Sequence, residues 1–165
     1  MAVERYNVRV TKDYLVFCCA HFITYEGDDC ERLHGHNYRV AVEVDGTLDE
    51  NHYVFDFIAL KNLTRSIVNE LDHHMLVAMK NPKLPVTVEN NRVLIRFGDK
   101  HWDFPKEDCV LLPIGNTTTE LLAKWVATRL LDELKSKRDV VPAVLRVELE
   151  ECFGQVARYE WRHSA

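Results

Sequence analysis

His34 and His36 flank a single glycine, and on an extended chain that spacing turns both imidazoles to one side. Two neutral ring nitrogens held this way can grip one metal ion. His21 ends an apolar segment that reads as an adjacent strand. Pairing of the two strands brings a third nitrogen to the cluster. Three histidines with one position left open is the usual arrangement of a catalytic zinc site. Gly35 removes side-chain bulk from the opposite face. A His-x-His pair also arises by chance or as core histidines, so its neighbours decide its meaning. In a cupin the further ligands follow the pair, whereas here the third histidine lies upstream.

Cys30 stands four residues before His34 in a polar stretch. Positive charge from a dication or an imidazolium favours the thiolate, the form that takes protons or attacks. A surface cysteine without a role is the plain alternative. Cys18, Cys19, Cys109 and Cys152 sit in or beside apolar strand-like segments and read as structural. Asp72-His73-His74 follows a helical pattern. A carboxylate beside an imidazole can orient it as a proton shuttle near neutral pH. A polar helix end has the same appearance, and spacing does not choose between His73 and His74. Glu148, Glu150 and Glu151 end a strand-like segment, either as a solvated edge or as an anchor for a ligand's donor groups.

The elements that must position these groups fit one domain over residues 1–165, with 47% apolar residues to build its core. Eight histidines are about twice an ordinary share, which keeps the metal reading in view. Five cysteines without a CxxC pair argue against a disulfide scaffold and for a reducing compartment, with a cytoplasmic location expected. A formal charge of −5 gives no support to nucleic-acid binding. No apolar run reaches membrane-span length, and the start MAVERYNVRV has charges where a signal peptide needs its apolar centre.

Residues 8–22 read as one or two strands and 23–33 as a loop. Residues 34–46 alternate, with His34, His36, Tyr38, Val40, Val42 and Val44 on one face. Residues 56–71 show helical spacing at 57, 60, 63, 67, 68 and 71, with Asp56 as N-cap. Short hairpin strands are expected near 86–88, 92–97 and 101–104. A second helix is expected from Thr117, with Thr117 and Glu120 as a capping box and Leu121, Leu122, Trp125, Leu130, Leu131 and Leu134 as its buried stripe. Residues 144–151 and 155–161 read as paired strands. The order implies an α+β fold, an antiparallel sheet with helices on one face.

The segments FCCAHF, CERLHGHNY, VFDFIALK, LDHHML, NTTTE and Glu151-x7-Tyr159, in that order, resemble the 6-pyruvoyl-tetrahydropterin synthase and 6-carboxytetrahydropterin synthase family. The resemblance covers roughly residues 8–160 apart from an insertion at about 78–115. It implies the tunnelling fold, a four-stranded antiparallel sheet with two helices on one face, here with a small inserted β-hairpin region. It implies His21, His34 and His36 as zinc ligands, one ion per chain, and Cys30 as the catalytic base. It makes Asp72 and His73 the proton-relay pair. Glu151 becomes the anchor of the pterin, and Thr118, Thr119 and Glu120 line its pocket.

The implied substrate is 7,8-dihydroneopterin triphosphate, with Mg²⁺ an option beside the phosphates. The short gap between Cys30 and His34 resembles the branch that forms 6-carboxy-5,6,7,8-tetrahydropterin, releases acetaldehyde and triphosphate, and feeds queuosine synthesis. The alternatives are 6-pyruvoyl-tetrahydropterin synthesis or a pterin-binding homologue of altered specificity. A zinc hydrolase on another scaffold is the reading from a different class. The family assembles as a homohexamer, a dimer of trimers with active sites between subunits. Two positions depart from the family's pattern: Val77 stands where asparagine is usual, and Cys152 where threonine is common.

Overall fold

The computed structural model describes residues 4–164. Its strands are β1 (Tyr6–His21), β2 (Thr24–Tyr25), β3 (Asp29–Cys30), β4 (His34–Gly46), β5 (His74–Ala78), β6 (Val86–Glu89), β7 (Arg92–Phe97), β8 (Lys100–Pro105), β9 (Cys109–Leu112), β10 (Val144–Cys152) and β11 (Gln155–Arg162). The two α-helices are α1 (Phe57–Leu71) and α2 (Thr119–Arg138).

The main sheet has six strands in the order β11-β10-β4-β1-β5-β9. Four are antiparallel, as the sequence implies. The expected four-stranded sheet is corrected by β5 and β9, which add in parallel beside β1. Their sequences, HMLVA and CVLL, show no polar alternation because both faces of these strands are covered. Periodicity does not separate such short apolar runs from helix ends or loops.

Parity along the strands assigns the two faces. Phe17, Cys19, Tyr38, Val40, Val42, Leu76, Leu112, Leu145, Val147 and Leu149 pack with α1 and α2 into the main core. Ala20, Met75, Val77, Cys109 and Leu111 point the other way. There they meet Leu84, Val93, Ile95 and Trp102 of the segment that holds the separate three-stranded sheet β6-β7-β8. The three inserted strands expected from the sequence therefore form a lid on the face opposite the helices. Val77, the departure from asparagine, is a core residue of this second cluster at 2% exposure.

Asp56 caps α1 by accepting from the amides of Ile58 (2.6 Å) and Ala59 (3.1 Å). Phe57 does not join the buried stripe and is 57% exposed, its place being taken by Ala59. α2 begins two residues later than expected, with Thr118 as N-cap and no side-chain capping bond. The Thr117–Glu120 capping box does not form because the Thr117 hydroxyl donates instead to the Phe22 carbonyl at 3.0 Å. On α2, Leu122, Trp125, Leu130 and Leu134 are buried while Leu121 and Leu131 are half-buried.

The uncovered face of β1, β4, β10 and β11 carries a lattice of opposite charges. Arg9 meets Glu43 and Glu148, and Arg158 meets the same two carboxylates. Arg146 bonds Asp45 at 2.7 Å and Glu160 at 2.6 Å. The Arg146 bond, joined by Asn7, holds the Asp45 carboxyl below the usual range against the opposing effect of burial. A depressed folded-state value adds stability above the unfolded value, about 3.9, and loses it as pH falls through the folded value. Asp45→Asn is therefore expected to cost about 1–2 kcal/mol at pH 7 and almost nothing once the pH lies below the folded value. Urea unfolding at the two pH values checks this; an equal cost at both would remove the assigned cause.

Candidate active site

β1 and β4 run antiparallel with His21 opposite His34 and Cys19 opposite His36. Paired residues share a face, so His21, His34 and His36 converge at one end of the helix-covered side. One ligand atom from each lies within 4.8 Å of the others, the arrangement needed around a single ion. Gly35 sits between them for a reason the strand pairing supplies. A Cβ there would lie 2.8 Å from the Cys19 carbonyl oxygen. Gly35→Ala is expected to force β1 and β4 apart, costing about 1–3 kcal/mol and weakening metal retention. Thermal unfolding and metal analysis of that variant check both effects.

Two of the rings have a settled tautomer. His21 Nδ1 donates to the Thr117 carbonyl at 3.0 Å, and His34 Nδ1 donates to the Arg32 carbonyl at 2.8 Å. A carbonyl only accepts, so each Nδ1 carries the proton and each Nε2 keeps its lone pair. This is the usual outer bond of a metal-ligating histidine. Burial pushes His21 below the ordinary histidine value, with His34 and His36 adding to that effect against the Thr117 bond. A neutral ring is the metal-binding form. The donor set fits a divalent metal. Cys19, on the same face, is pushed up to about 12 chiefly by burial and is a neutral packing thiol.

Glu151 stands beside the cluster. Its Oε1 accepts from Tyr38 Oη at 2.7 Å and Thr119 Oγ1 at 3.0 Å, and lies 3.8 Å from His36 Nε2. Burial raises its value, but the Tyr38 and Thr119 bonds and the two nearby histidines outweigh it and hold the carboxyl ionised. Thr118 is the α2 N-cap and Glu120 lies exposed in the first turn. A cleft of about 380 Å³ adjoins the site, lined by His36, Asn37, Glu150, Glu151 and Phe153 among others. Phe153 is 97% exposed at the β10–β11 turn.

A family profile described as 6-pyruvoyl tetrahydropterin synthase matches residues 9–162. The chain belongs to this family. A Pyrococcus abyssi protein assigned as a 6-carboxy-5,6,7,8-tetrahydropterin synthase is 37% identical over 117 residues, 70% of this chain and 69% of that one. A dihydroneopterin monophosphate aldolase of Pyrococcus furiosus is 40% identical over 75 residues, 45% of this chain and 60% of that one. The crystal structure of Plasmodium vivax 6-pyruvoyl tetrahydropterin synthase superposes with a TM-score of 0.90 at 30% identity, covering 98% of this chain and all of that one. A second structure of that enzyme is described as a catalytic-residue variant in which a glutamate is replaced by alanine.

Within this synthase-family chain, the remaining expected site residues are less gathered than the histidines. Cys30 is not an exposed loop thiol. It lies in β3 at 8% exposure, among Phe22, Met75 and Val77 of the second cluster. Burial raises its value, with Lys100 pulling the other way. The expected thiolate is therefore not what these protein groups favour, because the chain folds the cysteine into an apolar contact. Asp72 accepts from the Cys18 amide at 2.8 Å and pairs with His73 Nδ1 at 2.9 Å. Its carboxyl is held low by these bonds against burial. His73 has φ +58, a left-handed conformation that costs roughly 1 kcal/mol outside glycine, and its ring is 81% exposed. His74 turns instead to the Asp72 carbonyl. The pair thus presents a free His73 Nε2 to the outside.

One group escaped the sequence reading. Glu31 Oε2 lies 3.9 Å from His34 Nε2, and the same oxygen is 3.4 Å from the Ile23 amide that donates to it. Its signal was a carboxylate three residues before His34, overshadowed by the cysteine next to it.

Proposed function

We propose that this chain is a zinc-dependent lyase acting on the C6 side chain of 7,8-dihydroneopterin triphosphate. The observation that carries the reading is the convergence of three histidines, two of them with a fixed tautomer, beside an ionised Glu151. Bound zinc supplies Lewis-acid polarisation of oxygen, acidifying the neighbouring O–H and C–H bonds. Glu151 accepts hydrogen bonds from the amino and ring N–H groups of the pterin, a charge-assisted pairing that orients the side chain toward the histidines. The Tyr38 and Thr119 hydroxyls keep that carboxylate ionised.

Glu31 takes the proton at the histidine cluster, and the role that the family resemblance implies for Cys30 passes to it here. The glutamate described as catalytic in the Plasmodium vivax enzyme supports this assignment. Asp72 holds His73 with Nε2 outward, ready to relay a proton to a substrate held partly by a neighbouring copy. A homohexamer with sites between subunits accounts for a relay pair whose His73 ring a single chain leaves 81% exposed. The exposed Phe57 and Ile58 supply apolar area for such contacts.

The expected products are 6-carboxy-5,6,7,8-tetrahydropterin, acetaldehyde and triphosphate, on the route to queuosine in the cytoplasm. The position of Glu31 favours a second reading, carbon–carbon cleavage of the side chain in the manner of the aldolase relative. A carboxylate is a weak base for carbon but a suitable one for a polarised hydroxyl. Incubation with dihydroneopterin triphosphate and product identification by mass separates the 6-carboxy, 6-pyruvoyl and shortened products. No product from any dihydroneopterin phosphate would overturn the lyase reading.

A further inference from the structure

The inserted sheet reaches back to the segment that carries Cys30 and Glu31. Trp102 of β8 stacks on Phe22 with ring centroids 4.4 Å apart and an interplanar angle of 22°. Phe22 directly follows His21. Lys100, also on β8, donates from Nζ to the Cys30 carbonyl at 3.1 Å. That carbonyl belongs to the peptide joining Cys30 to Glu31.

The rest of the β2–β3 hairpin is held differently. Its first strand is tied by Asn116, which donates to the Thr24 carbonyl at 2.8 Å, and by Asn81, which donates to the Thr24 hydroxyl at 3.0 Å. Lys83 pairs with Asp28 at the exposed turn. Across the hairpin, the Glu31 amide donates to the Ile23 carbonyl at 3.0 Å. Among the described side-chain bonds, Lys100 supplies the one from another element to the second strand. The hairpin is thus pinned on the Thr24 side by residues just after β5 and just before α2. On the Cys30–Glu31 side it is pinned by the insertion.

We propose that the insertion is a positioning element for the proton-transfer segment, with Lys100 as its positioning residue. By fixing the Cys30–Glu31 peptide, Lys100 sets where the Glu31 carboxylate stands relative to His34. Misplacing a proton acceptor by an ångström lowers turnover without weakening substrate binding. The inference rests on the lyase reading for its kinetic consequence, but the restraint itself is a property of the fold.

The variant Lys100→Met keeps the aliphatic stem and removes the donor, and Lys100→Arg restores a cationic donor. With dihydroneopterin triphosphate as substrate, Lys100→Met is expected to lower kcat about 10-fold with KM within about 2-fold. Zinc content and thermal midpoint should stay close to those of the parent, and Lys100→Arg should recover most of the rate. Faster hydrogen exchange at the Glu31 amide in Lys100→Met is expected alongside. An unchanged kcat, or a rise in KM alone, overturns the proposal; the latter would make Lys100 a contact for the phosphates. A fall in kcat matched by loss of folded protein overturns it too. Should the parent chain itself turn over no pterin, the lyase reading fails, and the exchange rate alone decides the positional role. Unchanged exchange then overturns it.

Discussion

A chain carrying His34→Ala and His36→Ala is expected to lose bound zinc from about one ion per chain to background and to lose at least about 10³-fold in kcat/KM. The size follows from the task given to the metal. Polarising a substrate oxygen is worth several kcal/mol in the transition state, and each 1.36 kcal/mol is a factor of ten. Both rings project from the end of β4, where His34 and His36 are only half-buried, so the sheet should survive their removal. His21 is the poorer choice for this test, since its ring is buried and bonded to the start of α2. Metal analysis and circular dichroism on the same sample separate the two effects. Retention of more than about a tenth of the parent activity in a metal-free double variant would sink the zinc mechanism.

The second large effect is expected at Glu31. Glu31→Gln keeps the size of the side chain and removes its capacity to take a proton. A positioned general base contributes about 10²–10⁴-fold, so kcat should fall by about 10²-fold or more with zinc retained. Cys30→Ala should act mainly on stability, since the thiol is 8% exposed in an apolar cluster and its loss leaves a small void. A cost of about 1 kcal/mol and a rate change within about 10-fold are expected there. The opposite ranking, with Cys30→Ala inactive and Glu31→Gln nearly normal, would return the base to the cysteine and make Glu31 a mere neighbour of His34. Parallel kinetics and unfolding of the two variants decide between them.

The histidine cluster was legible because strand geometry converts spacing into direction. His34 and His36 share a face by parity, and the β1–β4 pairing puts His21 opposite His34. The N-cap at Asp56, the inserted strands and the β10–β11 hairpin were readable for the same kind of local reason. Glu151 was less legible. The local pattern gave no reason to prefer it over Glu148 or Glu150, and the resemblance chose it. Its bonds to Tyr38 and Thr119 come from residues 113 and 32 positions away, which no local pattern records.

By itself the sequence determined the order of elements, the face of each alternating strand and the metal-capable triad, all consequences of short-range periodicity. Tertiary structure decided what the periodicity left open. It turned Cys30 into the apolar space beneath the insertion and left Glu31 beside His34, because two neighbouring residues of an extended segment must point opposite ways and only packing says which way is in. It drew Thr117 away from the α2 cap to the Phe22 carbonyl and His21, because burial there makes a lone polar group costly. It also added β5 and β9 to the sheet, since strands covered on both faces carry no alternation for the sequence to display.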